Sequence, residues 1–231
     1  MLKKNKKIII LLPTLPTYRK DFFKLLSSEM FLRNIQLYIF YGSTSSKVVK
    51  PYIDKSINVK KFETEELSFI GVNVSFQKNL LSSIKKIKPD GIILLFNPAI
   101  VSFNLVLYHC IRKSIPFGIW STGYTRPDIQ NYLARFRNFY INYINKKANV
   151  HIAYGTTQQK KLISKGINPL NIRVAQNTID VESIIKNYYS SIINKTFKTP
   201  LKILFVGALI DNKNLDVTMT AVDELISEGF K

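Results

Sequence analysis

The stretch PDGIILLFNPAIVSFNLVLYHCIRKSIPFGIWST, residues 89–122, reads as strand, helix and strand in a row. PDGIILLF (89–96) is a short, continuous apolar run of the kind a strand buried on both faces requires. Pro89 and Gly91 mark the turn that leads into it. SFNLVLYHCIRKS (102–114) has helical spacing, and PFGIWST (116–122) is apolar and strand-like again. The same alternation extends in both directions. KIIILL (7–12), IQLYIFYG (35–42), a short VKKFET (59–64), NVHIAY (149–154) and IRVAQN (172–177) read as strands. Helices are expected over 18–31, 74–88, 131–148, 156–166 and 181–193. In 74–88, Phe76, Leu80, Leu81, Ile84 and Ile87 share one face. Gly166 sits at the C-terminal cap position of its helix. Repeated alternation predicts an α/β fold with a doubly wound, Rossmann-like parallel sheet. Ligands of such sheets bind at the carboxyl ends of the strands.

The 231 residues are 46% apolar, enough for a sizeable core. No run reaches the ~20 apolar residues of a membrane span. Residues 99–111 come nearest and contain Asn104 and His109. MLKKNKKIIILLPTLP (1–16) shares a basic flank and apolar run with signal peptides. Pro13 and Pro16 fit a strand-ending loop better than a cleavage site, so the run is read as the first core strand. A single cysteine, Cys110, rules out a disulfide framework within the chain, and the cytoplasm is the expected compartment.

Thirty-four basic residues against 15 acidic ones give a net charge of +19. The excess lies in residues 1–200. Residues 201–231 carry Lys202, Lys213 and Lys231 against Asp211, Asp216, Asp223, Glu224 and Glu228. Between Asp128 and Asp180 there is no acidic residue. The shift near Pro200 predicts a first domain over 1–195, a linker at 196–200 and a second domain beginning at 201–231. A basic body predicts an anionic partner. No RNA- or DNA-binding motif accompanies the charge, and nucleic acid is not expected.

Five stretches offer chemistry. In PTLPTYR (13–19), Thr14 and Thr17 offer hydroxyls, and Arg19 offers a cation at a helix N-terminus; an ordinary proline-rich turn is the other reading. In WSTGYTRP (120–127), Thr122, Gly123, Tyr124 and Arg126 suit a sugar or phosphate, and a loop built on a stacked Trp–Tyr pair would look the same. The helix 131–148 interleaves Tyr132, Phe136, Phe139, Tyr140 and Tyr143 with Arg135, Arg137, Lys146 and Lys147. That pattern fits either an anionic membrane surface or a core helix with buried aromatics. RVAQNTID (173–180) reads as a strand exit. KILFVGALIDNKNLDVTMTAVDELISEGFK (202–231) reads as strand, glycine turn, lysine and helix, with Gly207 and Lys213 placed to meet a diphosphate. It lacks the P-loop pattern, and the chain has no dinucleotide fingerprint. His109 and His151 are isolated, and Glu63, Glu65 and Glu66 read as a solvated loop cluster; no metal site is expected.

The order of these stretches resembles the GT4 family of retaining glycosyltransferases, which have the GT-B fold of two Rossmann-like domains facing a cleft. The matching positions are Gly166, Ile167, Ile172, Val174, Asn177, Ile179 and Asp180, then Leu204, Phe205, Val206, Gly207, Ala208, Leu209, Lys213 and Asn214. ILLPTLPTYRKDFFKLLSSE and GIWSTGYTRP look like the acceptor-side strands and loops of such enzymes. Three positions depart from the family pattern. Ala208 replaces the arginine that helps hold the donor diphosphate, Thr178 replaces a glycine, and Thr122 stands where many members have histidine. The family's E-x7-E element and base pocket would lie beyond residue 231.

The resemblance implies transfer of a sugar from a nucleotide sugar to a lipid-linked or polysaccharide acceptor in bacterial surface polysaccharide synthesis (capsule, O-antigen or lipopolysaccharide). Gly207 and Lys213 would bind donor. Thr14, Thr17, Arg19, Thr122, Gly123, Tyr124 and Arg126 would line the acceptor side. Arg135, Arg137, Lys146 and Lys147 would contact the inner face of the cell membrane. No cofactor or metal is implied. A truncated chain of this kind is expected to transfer little sugar alone. A non-catalytic membrane-associated subunit, or the acceptor half of a split transferase, is the alternative.

Overall fold

Ile9, Ile10, Leu11 and Leu12 are all buried, so Lys6–Leu12 forms a strand, β1, with neighbours on both faces and both edges. It pairs in parallel with β2 (Ile35–Gly42) on one side and β6 (Gly91–Leu95) on the other. The remaining sheet strands are β3 (Asn58–Phe62), β7 (Phe117–Ser121), β8 (Val150–Ala153) and β9 (Ile172–Val174). Their order is β3-β2-β1-β6-β7-β8-β9, and every pairing is parallel. This is the α/β, Rossmann-like sheet expected from the sequence. The computed structural model describes residues 5–43, 57–69, 72–121, 132–176, 178, 181–182, 185–186, 203–207 and 213–229. The chain divides into two compact units, Met1–Asp180 and Val181–Lys231.

The period-two geometry of strands sends alternate residues to opposite faces. Ile10, Leu12, Leu37, Ile39 and Trp120 pack under helix α1 (Lys20–Leu32) through Phe22, Phe23 and Leu26. Ile9, Leu11, Ile92, Leu94, Phe117 and Ile119 pack on the other face under α2 (Leu80–Ile87), α3 (Val101–Lys113) and α4 (Tyr132–Lys147). Each such fully buried side chain contributes about 1.5–3 kcal/mol. Helix α5 (Thr156–Ser164) ends as the sequence predicts. Gly166 has φ +82°, its N–H donates to the Ile163 carbonyl, and the Ile167 N–H donates to that of Leu162. Leu162 and Ile167 are both buried, completing a Schellman stop.

Three expectations are corrected. The helix over 74–88 forms only at Leu80–Ile87. Val72–Gln77 is instead a strand, β5, paired antiparallel with β4 (Thr64–Phe69). Val72, Val74 and Phe76 alternate with polar residues, and that period-two signal outweighs the helical spacing of Phe76 to Leu80. The glutamates therefore do not form a loop cluster. Glu65 and Glu66 lie on β4, and Glu65 pairs with Lys78 at 2.7 Å, an exposed pair of small energetic weight. Residues 203–206, read as a strand, make no ladder pairing among the described residues. The helix after Lys213 does form, as α6 (Leu215–Ser227). Most of 181–193, and all of 196–200, lie outside the described residues.

The β4–β5 hairpin rises from the carboxyl edge of the sheet. The Ser75 N–H donates to the Ala99 carbonyl, and the Gln77 N–H to Ser102 Oγ, tying it to the loop after β6 and to the first turn of α3. Gly42, the last residue of β2, sits under it. Its N–H donates to the Pro13 carbonyl at 3.0 Å. A β-carbon there would lie 2.6 Å from Thr64 Oγ1 and 2.8 Å from the Pro13 carbonyl oxygen, and closer still to Gln77 Nε2. Replacing Gly42 with alanine is expected to cost about 1–3 kcal/mol, since backbone cannot yield as a side chain would. Urea midpoints of the two chains measure it, and an unchanged midpoint would show that the edge gives way freely.

His151 is 1% exposed, with Nε2 3.0 Å from the Asn145 carbonyl oxygen and Nδ1 unpartnered. Burial lowers its pKa below the usual 6.5, partly opposed by that hydrogen bond. The folded state thus stays neutral while the unfolded chain takes up a proton below pH ~6.5. Stability should fall as pH drops from about 7.5 towards the depressed folded pKa, by at most ~1.4 kcal/mol per pH unit from this group. In His151→Leu, the difference between urea midpoints at about pH 7.5 and 5.5 should shrink; an unchanged slope would assign it elsewhere.

Candidate functional site

The chain runs leftwards from β1 to β2 and β3, then crosses to β6 and continues to the right. The loops after β1 and β6 therefore diverge and leave a crevice between them at the carboxyl edge, the topological switch point of the sheet. The loop after β6 is held by Asn97, whose Oδ1 accepts the Ala99 N–H. Thr14 is half-buried in the loop after β1. Thr17 and Arg19 bound a single 3-10 turn that runs into α1, and the Arg19 N–H donates to the Pro16 carbonyl.

Arg19 is the centre of the arrangement. It is only 8% exposed, and no described carboxylate pairs with it. Its Nη2 donates to the Tyr154 hydroxyl at 3.0 Å. Its guanidinium carbon lies 5.5 Å from the Trp120 ring centre and 5.8 Å from those of Tyr154 and Tyr18. Trp120 and Tyr154 are 5.7 Å apart, and Phe22 and Phe23 pack against Trp120 from α1. Stacking on aromatic faces stabilises a guanidinium with weak hydration, and it leaves the charge uncompensated. Two buried donors also lack partners, Arg19 Nε and Trp120 Nε1. A buried cation beside two unmet N–H groups is costly unless an acceptor completes it, and an oxyanion supplies both charge and lone pairs.

The sheet brings these residues together from far apart in the chain. Trp120 is the last residue but one of β7, and Tyr154 immediately follows β8. Tyr154 was not among the residues singled out in the sequence. Its signal was its place, the first position past a strand at the ligand-binding edge. Stacking of Trp120 on Tyr124 within its own loop is one of the two sequence readings of 120–127, and Tyr124 lies outside the described residues; among the described residues Trp120 lies beside the ring of Tyr154. Thr122, Gly123, Tyr124 and Arg126 lie outside the described residues. Gly207 and the exposed Lys213 belong to the second unit, Lys213 just ahead of α6. On α4, Arg135, Lys146 and Lys147 are exposed and Arg137 is half-buried.

Other reactive groups are structural. Cys110 is buried within α3, and burial pushes its thiol up to about 12, far from a nucleophilic thiolate. Among the described residues, no three His, Cys, Asp or Glu side chains come together as metal ligands. No described helix is long and apolar enough to cross a membrane.

No family model and no curated protein matches the chain. Among solved structures it is similar to the UDP-GlcNAc 2-epimerase of Neisseria meningitidis bound to UDP-GlcNAc, with 13% identity and a TM-score of 0.49 over 81% of this chain and 50% of that one. The UDP-GlcNAc 2-epimerase of Methanocaldococcus jannaschii gives 17% identity and 0.48 over the same shares. A lipopolysaccharide outer core galactosyltransferase, WaaB, gives 16% and 0.43 over 75% of this chain and 46% of that one. The chain thus spans about half the length of the structures it matches.

Proposed function

We propose that the chain is the acceptor-side part of a nucleotide-sugar-dependent glycosyltransferase of GT-B type, GT4-like and retaining, acting on a lipid-linked or polysaccharide acceptor in bacterial surface polysaccharide synthesis. One observation carries this reading: the buried Arg19, paired with no described carboxylate and boxed by Trp120 and Tyr154 beside the switch point. Its chemistry suits a phosphoryl or carboxylate oxygen attached to a group with an apolar or ring face. The motif order from Gly166 to Lys213, matching the GT4 pattern, supports the transferase class. In this reading Arg19 holds an anionic group of the substrate, Thr14 and Thr17 donate to sugar hydroxyls, and Thr122, Gly123, Tyr124 and Arg126 complete the acceptor side. Gly207 and Lys213 meet the donor diphosphate, whose growing negative charge a lysine stabilises as the nucleotide departs.

The acceptor half of a split transferase is a second reading, favoured by α6. No residue of that helix is buried, although Val217, Met219, Leu225 and Ile226 are large and apolar. Under it, the purified chain turns over little labelled nucleotide sugar on a lipid-linked acceptor, and substantial turnover by the chain alone would overturn it.

Trp120 is the only tryptophan, so its fluorescence reports on the candidate site directly. Titration with a nucleoside diphosphate, a nucleotide sugar and a short-chain prenyl diphosphate should produce a saturable change with at least one of them. Arg19→Ala is expected to weaken it roughly tenfold to a hundredfold, and Arg19→Lys less, because a charge remains while the fork and its stacking are lost. A flat response to all three ligands, or one indifferent to Arg19→Ala, would overturn the assignment.

A further inference from the structure

The two faces of the sheet differ in charge. Helix α1, packed on one face, carries Asp21 and Glu29 among its cations. The helices α2, α3 and α4 pack on the other face, and none contains a carboxylate. Each ends in cations: Lys85 and Lys86, Arg112 and Lys113, and Lys146 and Lys147.

Helix α4 also has two apolar sides. One packs inwards through Ala134, Ile144 and the half-buried Tyr140, whose hydroxyl donates to Asn104 of α3 at 2.9 Å. The other points to solvent. Tyr132, Phe136, Phe139 and Tyr143 recur at i, i+4, i+7 and i+11, and they are 87%, 72%, 72% and 44% exposed. Arg135, Lys146 and Lys147 are exposed alongside, with Lys147 Nζ 5.9 Å from the Tyr143 ring centre. Next to α4, α3 exposes Leu105 and Tyr108. Between α3 and α2 runs a groove of about 920 Å³ with Leu81, Ile84 and Leu105 in its wall and Lys85, Arg112 and Lys113 on it. His109 in the same groove is held below its usual pKa by burial first, then by Lys85, Lys113 and Arg112, so the local potential is positive.

We propose that this face docks on an anionic bilayer, with the aromatic stripe of α4 entering the headgroup–acyl boundary and the flanking cations meeting lipid phosphates. A second copy of the chain is disfavoured because α2, α3 and α4 carry cations and no carboxylate, so two copies of these helices would repel. A nucleic acid is disfavoured because Leu105 and the aliphatic groove wall of Leu81 and Ile84 offer neither stacking nor hydrogen bonds to bases and phosphates, whereas acyl chains can cover them. An amphipathic face with Phe and Tyr in the stripe and Lys and Arg beside it has the composition interfacial helices require. The transferase resemblance already implies membrane contact by the cations of α4; the exposed aromatic stripe and the groove are observed apart from it, and docking needs no sugar donor, so either reading can fail alone.

Flotation of the whole chain with vesicles tests it. Binding is expected to vesicles of phosphatidylcholine mixed with phosphatidylglycerol, to weaken with salt, and to be slight with phosphatidylcholine alone. Phe136→Ser combined with Phe139→Ser should weaken it roughly tenfold or more. Lys146→Glu combined with Lys147→Glu should weaken it too, and both variants stay folded, the phenylalanine pair with a nearly unchanged urea midpoint and the lysine pair with one lowered slightly by negative charge at the helix end. Arg19→Ala should leave vesicle binding intact, which separates this surface from the sheet-edge site. Equal binding to neutral and anionic vesicles would overturn the proposal. So would indifference to the double phenylalanine variant. Self-association, or single-strand nucleic-acid binding lost in that variant with no flotation, would assign the face to those partners instead.

Discussion

Strand β1 is hydrogen-bonded on both edges and covered on both faces, and Ile9 to Leu12 have no side left for water. That constraint organises the first unit. A strand so enclosed must be apolar at every position and cannot use the one-in, one-out pattern of a surface strand. It divides the chain into two wings, with β2 and β3 on one side and β6 to β9 on the other. The polypeptide leaves β1 at Pro13, at the point where the wings part. Arg19 is carried there by a fixed core element, which is how a buried cation can be held against rings from β7 and β8.

Much of the fold was legible because buried parallel strands and amphipathic helices have strong, different periods. The hairpin was misread where two periods overlap: Phe76 fits the helical face of Leu80 and Ile84 as well as the alternation of Val72 and Val74. Hydrogen bonds to Ala99 and Ser102 settle the competition, and these partners are tertiary. The site was half legible. Arg19 stood out by its place at a helix start. Its box did not, because Arg19 and Tyr154 are 135 residues apart and meet only through the strand order. For α4, periodicity announced apolar faces without telling which was covered. Tyr140 and Ile144 went inwards, and the stripe from Tyr132 to Tyr143 remained outside.

Charge is divided as sharply as packing. The formal excess of +19 is not an even coat; α2, α3 and α4 hold cations with no acid among them, whereas α1 mixes both signs. Cations in the last turns suit the negative ends of these helices, which explains part of the pattern locally. It does not explain the exposed Arg135 in the first turns of α4, nor four large aromatic side chains in water beside it. Local helix energetics and a surface requirement therefore act on the same elements.

The burial of Cys110 has a practical side. The chain has one thiol, enclosed in the α3 core and protonated far above neutral pH. Maleimides and thiol-directed spin labels are electrophiles that thiolates attack, so a buried, protonated thiol leaves the native protein silent towards them while folded. A cysteine introduced on the surface would be the single reactive handle without any background to remove, and loss of that silence would itself signal that the core beneath α3 had opened.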